Sequence, residues 1–293
     1  MVVVSLLTDY GLADGFVGAL HSVLRRYAPT VPIVDLTHTV ARQDVRAGSQ
    51  ALLRAAPYLA PGIVLAVVDP GVGTSRRAVA VQAARGPRFA APGGDVAAST
   101  PATVFVGPDN GLLPPAIDAL GGPSACIELE DRGYWLPAPG PTFAGRDIFA
   151  PAAARLACGA ELSELGSPLA AEALVRLPPP LVHLCEDGAL EAEVTWVDGF
   201  GNVQLAAEPG HLAGAGPPEQ RAGQPNRAGF EVLSADQALA AVKVRVFADL
   251  APGELGLLVD SYGHLALVLN GSSAAGYLRT REGEILTLRA RPS

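Results

Sequence analysis

The feature that most constrains this chain is an alternation in its first half. Apolar, β-branched runs at 2–8 (VVVSLLT) and 31–37 (VPIVDLT) bracket a segment, 15–29, whose apolar residues recur at helical spacing. The beat repeats: DVRAGSQALLRAAPYLAPG (44–62) carries a second helical pattern behind Asp44, a capping residue, and runs into GIVLAVVD (62–69), a wholly apolar strand. Strand, helix and strand in that order lay the strands parallel in one sheet, because the helix is the crossover between them. Further strands are expected at 78–83 and 103–108, the second leading into a turn and a short helix, DNGLLPPAIDALG. The first half therefore reads as an α/β domain with a mainly parallel sheet flanked by helices.

The alternation stops at RLPPPL (176–181), where consecutive prolines enforce an extended connection. Beyond it the helical pattern fades. Short strand-like runs recur at 189–198, 201–207, 242–250, 255–261, 264–270 and 284–290, the pattern of an all-β, barrel-like domain. The expected organisation is thus an N-terminal α/β domain over 1–175, a Pro-rich linker over 176–182, and a C-terminal β-barrel domain over 183–293. Two Gly/Pro/Ala-rich stretches, 85–100 and 213–229, read as solvated loop insertions.

Composition narrows the function classes. With 21 Lys and Arg against 29 Asp and Glu, the net charge of −8 supplies no basic field for a phosphate backbone, so no nucleic-acid partner is expected. The longest apolar run, at 59–68, contains Pro and Gly and is far shorter than the ~20 residues of a membrane span, so no membrane partner is expected either. The N-terminus has no basic segment before its apolar run and reads as a buried strand, which points to the cytoplasm. Cys126, Cys158 and Cys185 lie far apart without a C-x-x-C pair, and the five histidines show no metal-ligand spacing. No metal or cofactor is expected.

Ligands of open α/β sheets gather beyond the carboxyl ends of the strands. TDYGLAD (8–14), VVDPGVGTSRR (67–77) and GPDNGLL (107–113) all sit there, and PTFAGRDIF (141–149) opens a helix nearby in the chain. DPGVGTSRR is no phosphate loop, since no GK[ST] follows and an Asp at its mouth would repel a phosphate. Its Asp69 and two arginines form either an acid/base group or a structural ion pair. Asp9 and Asp14 could accept hydrogen bonds from a sugar diol or pair with an ammonium; alternatively Asp14 caps the following helix. In DGFGN (198–202), Asp198 and Asn202 either face a ligand or satisfy the backbone of a hairpin turn.

Taken in order, LLTDYGLADGFVG, IVDLTH, DVRAGSQALL, VVDPGVGTSRRAVAV, VGPDNGLL, TFAGRDIFAPAAARLA and DGFGN cover most of the chain and closely resemble the S-adenosylmethionine hydrolases (adenosine-forming). This is the SAM hydroxide adenosyltransferase family, related to the fluorinases and chlorinases. The resemblance implies hydrolysis of S-adenosyl-L-methionine to adenosine and L-methionine by attack of water or hydroxide at ribose C5′. It also implies an α/β domain followed by a β-barrel, and a homotrimer with active sites between subunits. By this resemblance Asp9 holds the ribose hydroxyls, Asp14 and Asp198 lie near the methionine ammonium, and Ser261 lies near its carboxylate. Asn202 and the backbone from Asn270 to Ser273 match the adenine side. Asp69 and Arg76 match two of three groups that activate water. The third is a His in TFHGRD, and this chain has Ala144 in its place.

That replacement keeps a second reading open, a protein that binds S-adenosylmethionine or adenosine with impaired catalysis. A third, a 5′-halogenase, is opposed by Asp69, whose negative charge would stand beside a halide.

Overall fold

The computed structural model describes residues 2–86, 102–214, 229–234 and 237–291. The two proposed loop insertions lie, apart from their end residues, outside the described residues. The chain divides into two compact units, Met1–Leu177 and Pro178–Ser293.

In the first unit the chain runs β1 (Val3–Thr8), α1 (Phe16–Tyr27), β2 (Ile33–Thr37), α2 (Val45–Ala55), β3 (Gly62–Val67), β4 (Ala78–Ala83), β5 (Val104–Pro108), α3 (Pro114–Ala119), β6 (Pro123–Glu128), α4 (Ala150–Ala157) and β7 (Ser167–Pro168). The sheet order is β2-β1-β3-β5-β4-β6-β7. Its core, β2-β1-β3-β5, is parallel as the alternation requires, and β4, β6 and β7 extend it in antiparallel fashion. Side chains alternate across the strands, so each face has its own core. Val4, Leu6, Leu65 and Val106 pack under α1 and α4 through Leu20, Leu24 and Ala153. Leu7, Val64, Ala66 and Phe105 face Leu52 of α2 and Ile117 of α3. Asp44 caps α2 as expected, its side chain accepting from the Ala47 N–H at 2.8 Å. β6 escaped sequence reading because its PSACIE run mixes two exposed, two half-buried and two buried residues without clean alternation.

In the second unit, β8 (Val182–Leu184), β9 (Leu190–Val197), β10 (Val203–Leu205), β11 (Gly229–Ser234), β12 (Gln237–Lys243), β13 (Leu255–Val259), β14 (Leu265–Leu269), α5 (Ala274–Leu278) and β15 (Ile285–Ala290) follow in order. The pairing β9-β10-β14-β13-β12-β11-β15 returns to β9, which closes a seven-stranded barrel with β8 added outside on β9. Closure leaves the barrel strands no open edge, and Leu190, Val194, Val203, Val232, Leu257, Leu267 and Leu288 fill the inside. The strand expected at 242–250 is displaced: β12 ends at Lys243, and Phe247–Asp249 form a 3-10 turn with Val246 and Phe247 exposed.

Candidate active site

Parallel strands end at one edge of a sheet, so the loops that follow them are neighbours. Thr8 of β1 is in register with Val67 of β3, which sets Asp9 and Asp69 just beyond adjacent strand ends. On the β3 loop, Asp69 and Arg76 form a bidentate pair. Arg76 Nε donates to Asp69 Oδ1 at 2.8 Å and Nη2 donates to Oδ2, with side chains only 5% and 14% exposed for Asp69 and Arg76. Thr74 Oγ1 ties the loop by donating to the Gly71 carbonyl at 2.7 Å. The Arg76 guanidinium also lies 5.1 Å above the Phe149 ring, which keeps it from swinging out.

The neighbouring arginine has a different task. Arg77 Nε donates to Asp109 Oδ2 at 2.8 Å, and Asp109 Oδ1 accepts from the Val175 N–H at 2.8 Å. Of the two arginines, Arg76 pairs with Asp69, and Arg77 belongs to a separate ion pair with Asp109. Asn110 Nδ2 donates to the Val68 carbonyl at 2.8 Å, so GPDNGLL braces the β3 loop from behind.

Asp9 Oδ2 accepts from the Gln43 N–H at 2.7 Å, where Gln43 is held at φ 64, a left-handed conformation rare for a residue with a side chain. Asp14 is exposed and does not cap α1. The cap position is Gly15, without a side-chain bond, which corrects the alternative role considered for Asp14. PTFAGRDIF ends in a π-helical turn, Gly145–Phe149, that continues into α4. Ala144 is buried, 6% exposed, and lines a groove of about 730 Å³ together with Arg76, Thr74, Trp135 and Asp147. Asp147 is held by Arg146, whose Nε donates to its Oδ1 at 2.6 Å.

Sequence reading passed over Tyr10. Its ring packs against Phe16 and Phe143 with centroids 5.7 and 5.6 Å apart, and a Cβ on Gly145 would fall 2.3 Å from its hydroxyl oxygen. A glycine at 145 is thus required by a residue far away in the chain. The signal was present in TDYGLAD, as a phenol beside a strand end, yet its partner could not be read from the linear order.

His21, Asp35 and His38 form the one group with a metal site's composition among the described residues, their ligand atoms lying within 4.8 Å of one another. Both imidazole Nε2 atoms approach the same Asp35 oxygen, at 2.9 and 3.1 Å, and the His38 approach lies outside hydrogen-bond geometry. Burial pushes the Asp35 carboxyl up, but the two imidazoles outweigh it and hold it below its ordinary value. His38 Nδ1 lies 2.9 Å from Thr8 Oγ1 and its carbonyl accepts from the Gly11 N–H at 2.7 Å, so the cluster braces the Asp9 loop.

In the barrel unit, Asp198 builds the turn between β9 and β10. Its Oδ1 accepts from the N–H groups of Phe200 and Asn202, both at 2.9 Å, and its Oδ2 accepts from Asn202 Nδ2 at 2.8 Å. Asp198, Asn202 and Ser261 nonetheless line one cavity of about 450 Å³, with Trp196, Phe200 and Tyr262. A carboxylate among aromatic rings suits a ligand that is cationic and partly flat. Asn270 and Ser273 are not among the residues lining it. Asn270 Nδ2 donates to the Leu250 carbonyl at 2.7 Å, and Ser273 caps α5 by accepting from the Gly276 N–H at 3.0 Å. Ser273 still touches the turn: a Cβ on Gly201 would fall 2.1 Å from its Oγ.

Comparison with known proteins identifies the family. Residues 4–166 match the SAM hydroxide adenosyltransferase N-terminal domain and 192–287 match the C-terminal domain of the same family. The chain is similar to the (R)-S-adenosyl-L-methionine hydrolase of Salinispora tropica, 47% identical over 98% of this chain and 97% of that one. Similarity to a fluorinase of an Actinoplanes species is weaker, 29% over 98% and 97% of the two chains. A crystal structure of an uncharacterized conserved protein from Thermotoga maritima superimposes with a TM-score of 0.82 at 30% identity, covering 98% of this chain and all of that one. With both of its units matched in order, the chain belongs to the SAM hydroxide adenosyltransferase family.

Proposed function

We propose that this protein hydrolyses S-adenosyl-L-methionine to adenosine and L-methionine. The observation that carries the reading is the buried Asp69–Arg76 pair on a strand-end loop, in a chain 47% identical over nearly its full length to a hydrolase of that substrate. Water attacks ribose C5′ as the C5′–S bond breaks, and its electron pair leaves with sulfur, so methionine departs as a neutral thioether. Asp69 accepts the proton of the attacking water, and Arg76 holds that carboxylate in one orientation through two hydrogen bonds. Attack of a hydroxide-like oxygen on a sulfonium cancels charge, so a positioned and water-poor groove lowers the barrier. The names of the relatives specify the R configuration at sulfur, and we extend that preference to this chain.

Substrate contacts follow the family resemblance. Asp9 takes the ribose hydroxyls, Asp14 and Asp198 the methionine ammonium, Ser261 its carboxylate, and Asn202 with the Asn270 to Ser273 backbone the adenine. The working unit in this proposal is a homotrimer with each site completed by a neighbouring subunit, since the candidate residues are divided between the two units of the chain. Three free thiols and the absence, among the described residues, of any helix long and apolar enough to cross a membrane suit a cytoplasmic location.

Chromatography of the protein with a mixture of sulfonium epimers tests the activity. Adenosine and methionine should appear together with the R epimer consumed first, and no adenosine from either epimer refutes the reading. Mixing Asp9→Ala with Asp198→Ala subunits should regenerate some activity if sites are shared, whereas no recovery with a mass near one chain by light scattering refutes the trimer.

Ala144 favours one competing reading, a ligand-binding protein of low turnover, because the groove wall there carries only a methyl group. Ala144→His separates the two. A large rise in turnover identifies an impaired hydrolase, and no change means that the reaction does not use that position. Halogenation is disfavoured by the charge of Asp69, and a 5′-halo-5′-deoxyadenosine formed in chloride or fluoride would overturn that judgement.

A further inference from the structure

His21, Asp35 and His38 come from three elements near one edge of the first sheet. His21 stands on α1 just outside the stripe, Val17, Leu20 and Leu24, that the helix buries. Asp35 lies on β2, the edge strand, and His38 follows the end of that strand. Positions 21, 35 and 38 match no linear metal motif, and only the fold brings their donor atoms within 4.8 Å of one another.

His38 carries the argument. Its side chain is 3% exposed, and its Nε2 makes no hydrogen bond among the described residues, although it lies 3.1 Å from Asp35 Oδ1. A buried ring nitrogen without a partner costs free energy. The oxygen it points toward is already engaged, since the same Oδ1 lies 2.9 Å from His21 Nε2. One cation between the two imidazole edges and the carboxylate would serve all three at once, whereas a shared proton serves only one pair. Ligands 2.0 to 2.1 Å from a tetrahedral ion stand about 3.3 Å apart. Separations of 2.9 and 3.1 Å, with the third below 4.8 Å, reach that triangle by side-chain adjustment alone. His38 Nδ1, 2.9 Å from the buried Thr8 Oγ1, then carries the ring proton and donates it there, the outer contact that orients a metal-bound imidazole.

We infer that His21 Nε2, His38 Nε2 and the Asp35 carboxylate form a binding site for a divalent ion of the zinc class, with water as the fourth ligand. The inference goes beyond the hydrolase reading and does not rest on it. Two imidazoles and one carboxylate favour borderline ions over magnesium and calcium, which prefer oxygen ligands throughout. The His21 and Asp35 side chains are 35% and 43% exposed, which gives the ion an entry path and the water a place. The ion takes no part in the reaction and acts by position. It ties α1 to the end of β2, and through His38, whose carbonyl accepts from the Gly11 N–H at 2.7 Å, it steadies the loop that carries Asp9.

Calorimetry of the full-length, chelator-treated protein with zinc chloride alone tests the site. One ion per chain is expected, undisturbed by excess magnesium. His21→Ala and Asp35→Asn should each weaken binding by about 10²-fold or more, since the loss of even an outer partner costs about 10- to 100-fold. Neither substitution touches the buried stripe of α1, and melting without zinc checks that both variants fold. Zinc should raise the melting temperature of the parent and leave that of His21→Ala where it was. Cobalt(II) gives a second readout, a visible absorption of the bound ion that is present in the parent and lost in both variants. No zinc binding by the parent, equal affinity for magnesium, or zinc held as tightly by His21→Ala and Asp35→Asn would each overturn the inference. Adenosine formation enters none of these measurements, so failure here leaves the hydrolase reading standing.

Discussion

Asp69 and Asp198 are both carboxylates on glycine-containing loops beside strands, yet their oxygens are spent differently. Asp69 faces a guanidinium, while Asp198 gathers two backbone N–H groups and the Asn202 amide into a turn. The first is a charge held by a charge, its side chain buried on a loop braced from behind by Asn110 and by Arg77 through Asp109. The second is a structural residue before it is anything else, and it lines its cavity from a turn the barrel needs anyway. In the proposed reaction the contrast teaches that a group moving a proton is supported by others, whereas a group proposed only to recognise a ligand can also build the backbone it stands on.

The sharpest way to break this contrast is Asp69→Asn. Turnover should fall by about 10² to 10⁴-fold while affinity for adenosine persists, measured by product chromatography and calorimetry. A rate close to that of the parent would move the proton acceptor elsewhere. Next in size is Gly201→Ala, which forces a methyl into Ser273 at a backbone φ of +83. Its cost, about 1 to 3 kcal/mol, should appear in denaturant unfolding of the barrel unit. An unchanged midpoint would mean that the turn and the start of α5 are not packed as described.

Asp198→Ala should lower stability and ligand affinity together, since one side chain performs both tasks in the proposed reading. A loss of about 1 to 2 kcal/mol in unfolding is expected from the abandoned N–H groups. Weaker binding at full stability would separate the tasks and blur the contrast with Asp69. Phe200→Ala sharpens it from the other side. This ring is 85% exposed, so unfolding should shift by no more than about 0.5 kcal/mol while binding or assembly weakens.

The smallest effect concerns the brace under the Asp9 loop. The Asp35 carboxyl is held below its ordinary value, so its stabilisation is complete above the unfolded value of 3.8 and is lost as pH falls through the lowered folded value. Asp35→Asn should therefore melt slightly below the parent at pH 5, and the gap should close in stronger acid. A gap that widens on acidification would show that the imidazoles do not act on Asp35 as described.

Periodicity decided what was legible in the fold. The α/β pattern of the first half is a local property, in which apolar spacing selects strand or helix and the order of elements makes the core strands parallel. The elements that went unread are those without such spacing: β6 mixes exposed and buried residues without alternation, β8 has three residues, and β11 follows directly on a Gly/Pro/Ala-rich stretch. The strand expected at 242–250 erred in the opposite sense, because Val246 and Phe247 carry strand composition on an exposed loop. Apolar residues can be placed outside when a surface has a use for them.

By itself the sequence determined which loops would meet, since the carboxyl ends of parallel strands must share an edge, and it marked Asp9 and Asp69 on two of them. Only the tertiary structure decided how their neighbours divide the work. Arg76 and Arg77 are adjacent and chemically identical, and nothing linear says that one pairs with Asp69 and the other with Asp109, 32 positions away. Nor does it say that Tyr10 and Gly145 touch, or that His21, Asp35 and His38 converge from a helix, a strand and a loop. The physical reason is one of range. Backbone preference and hydrophobic spacing act over a few residues and are written in the local order, while ion pairs and close packing depend on directions in space that exist only once the sheet has formed.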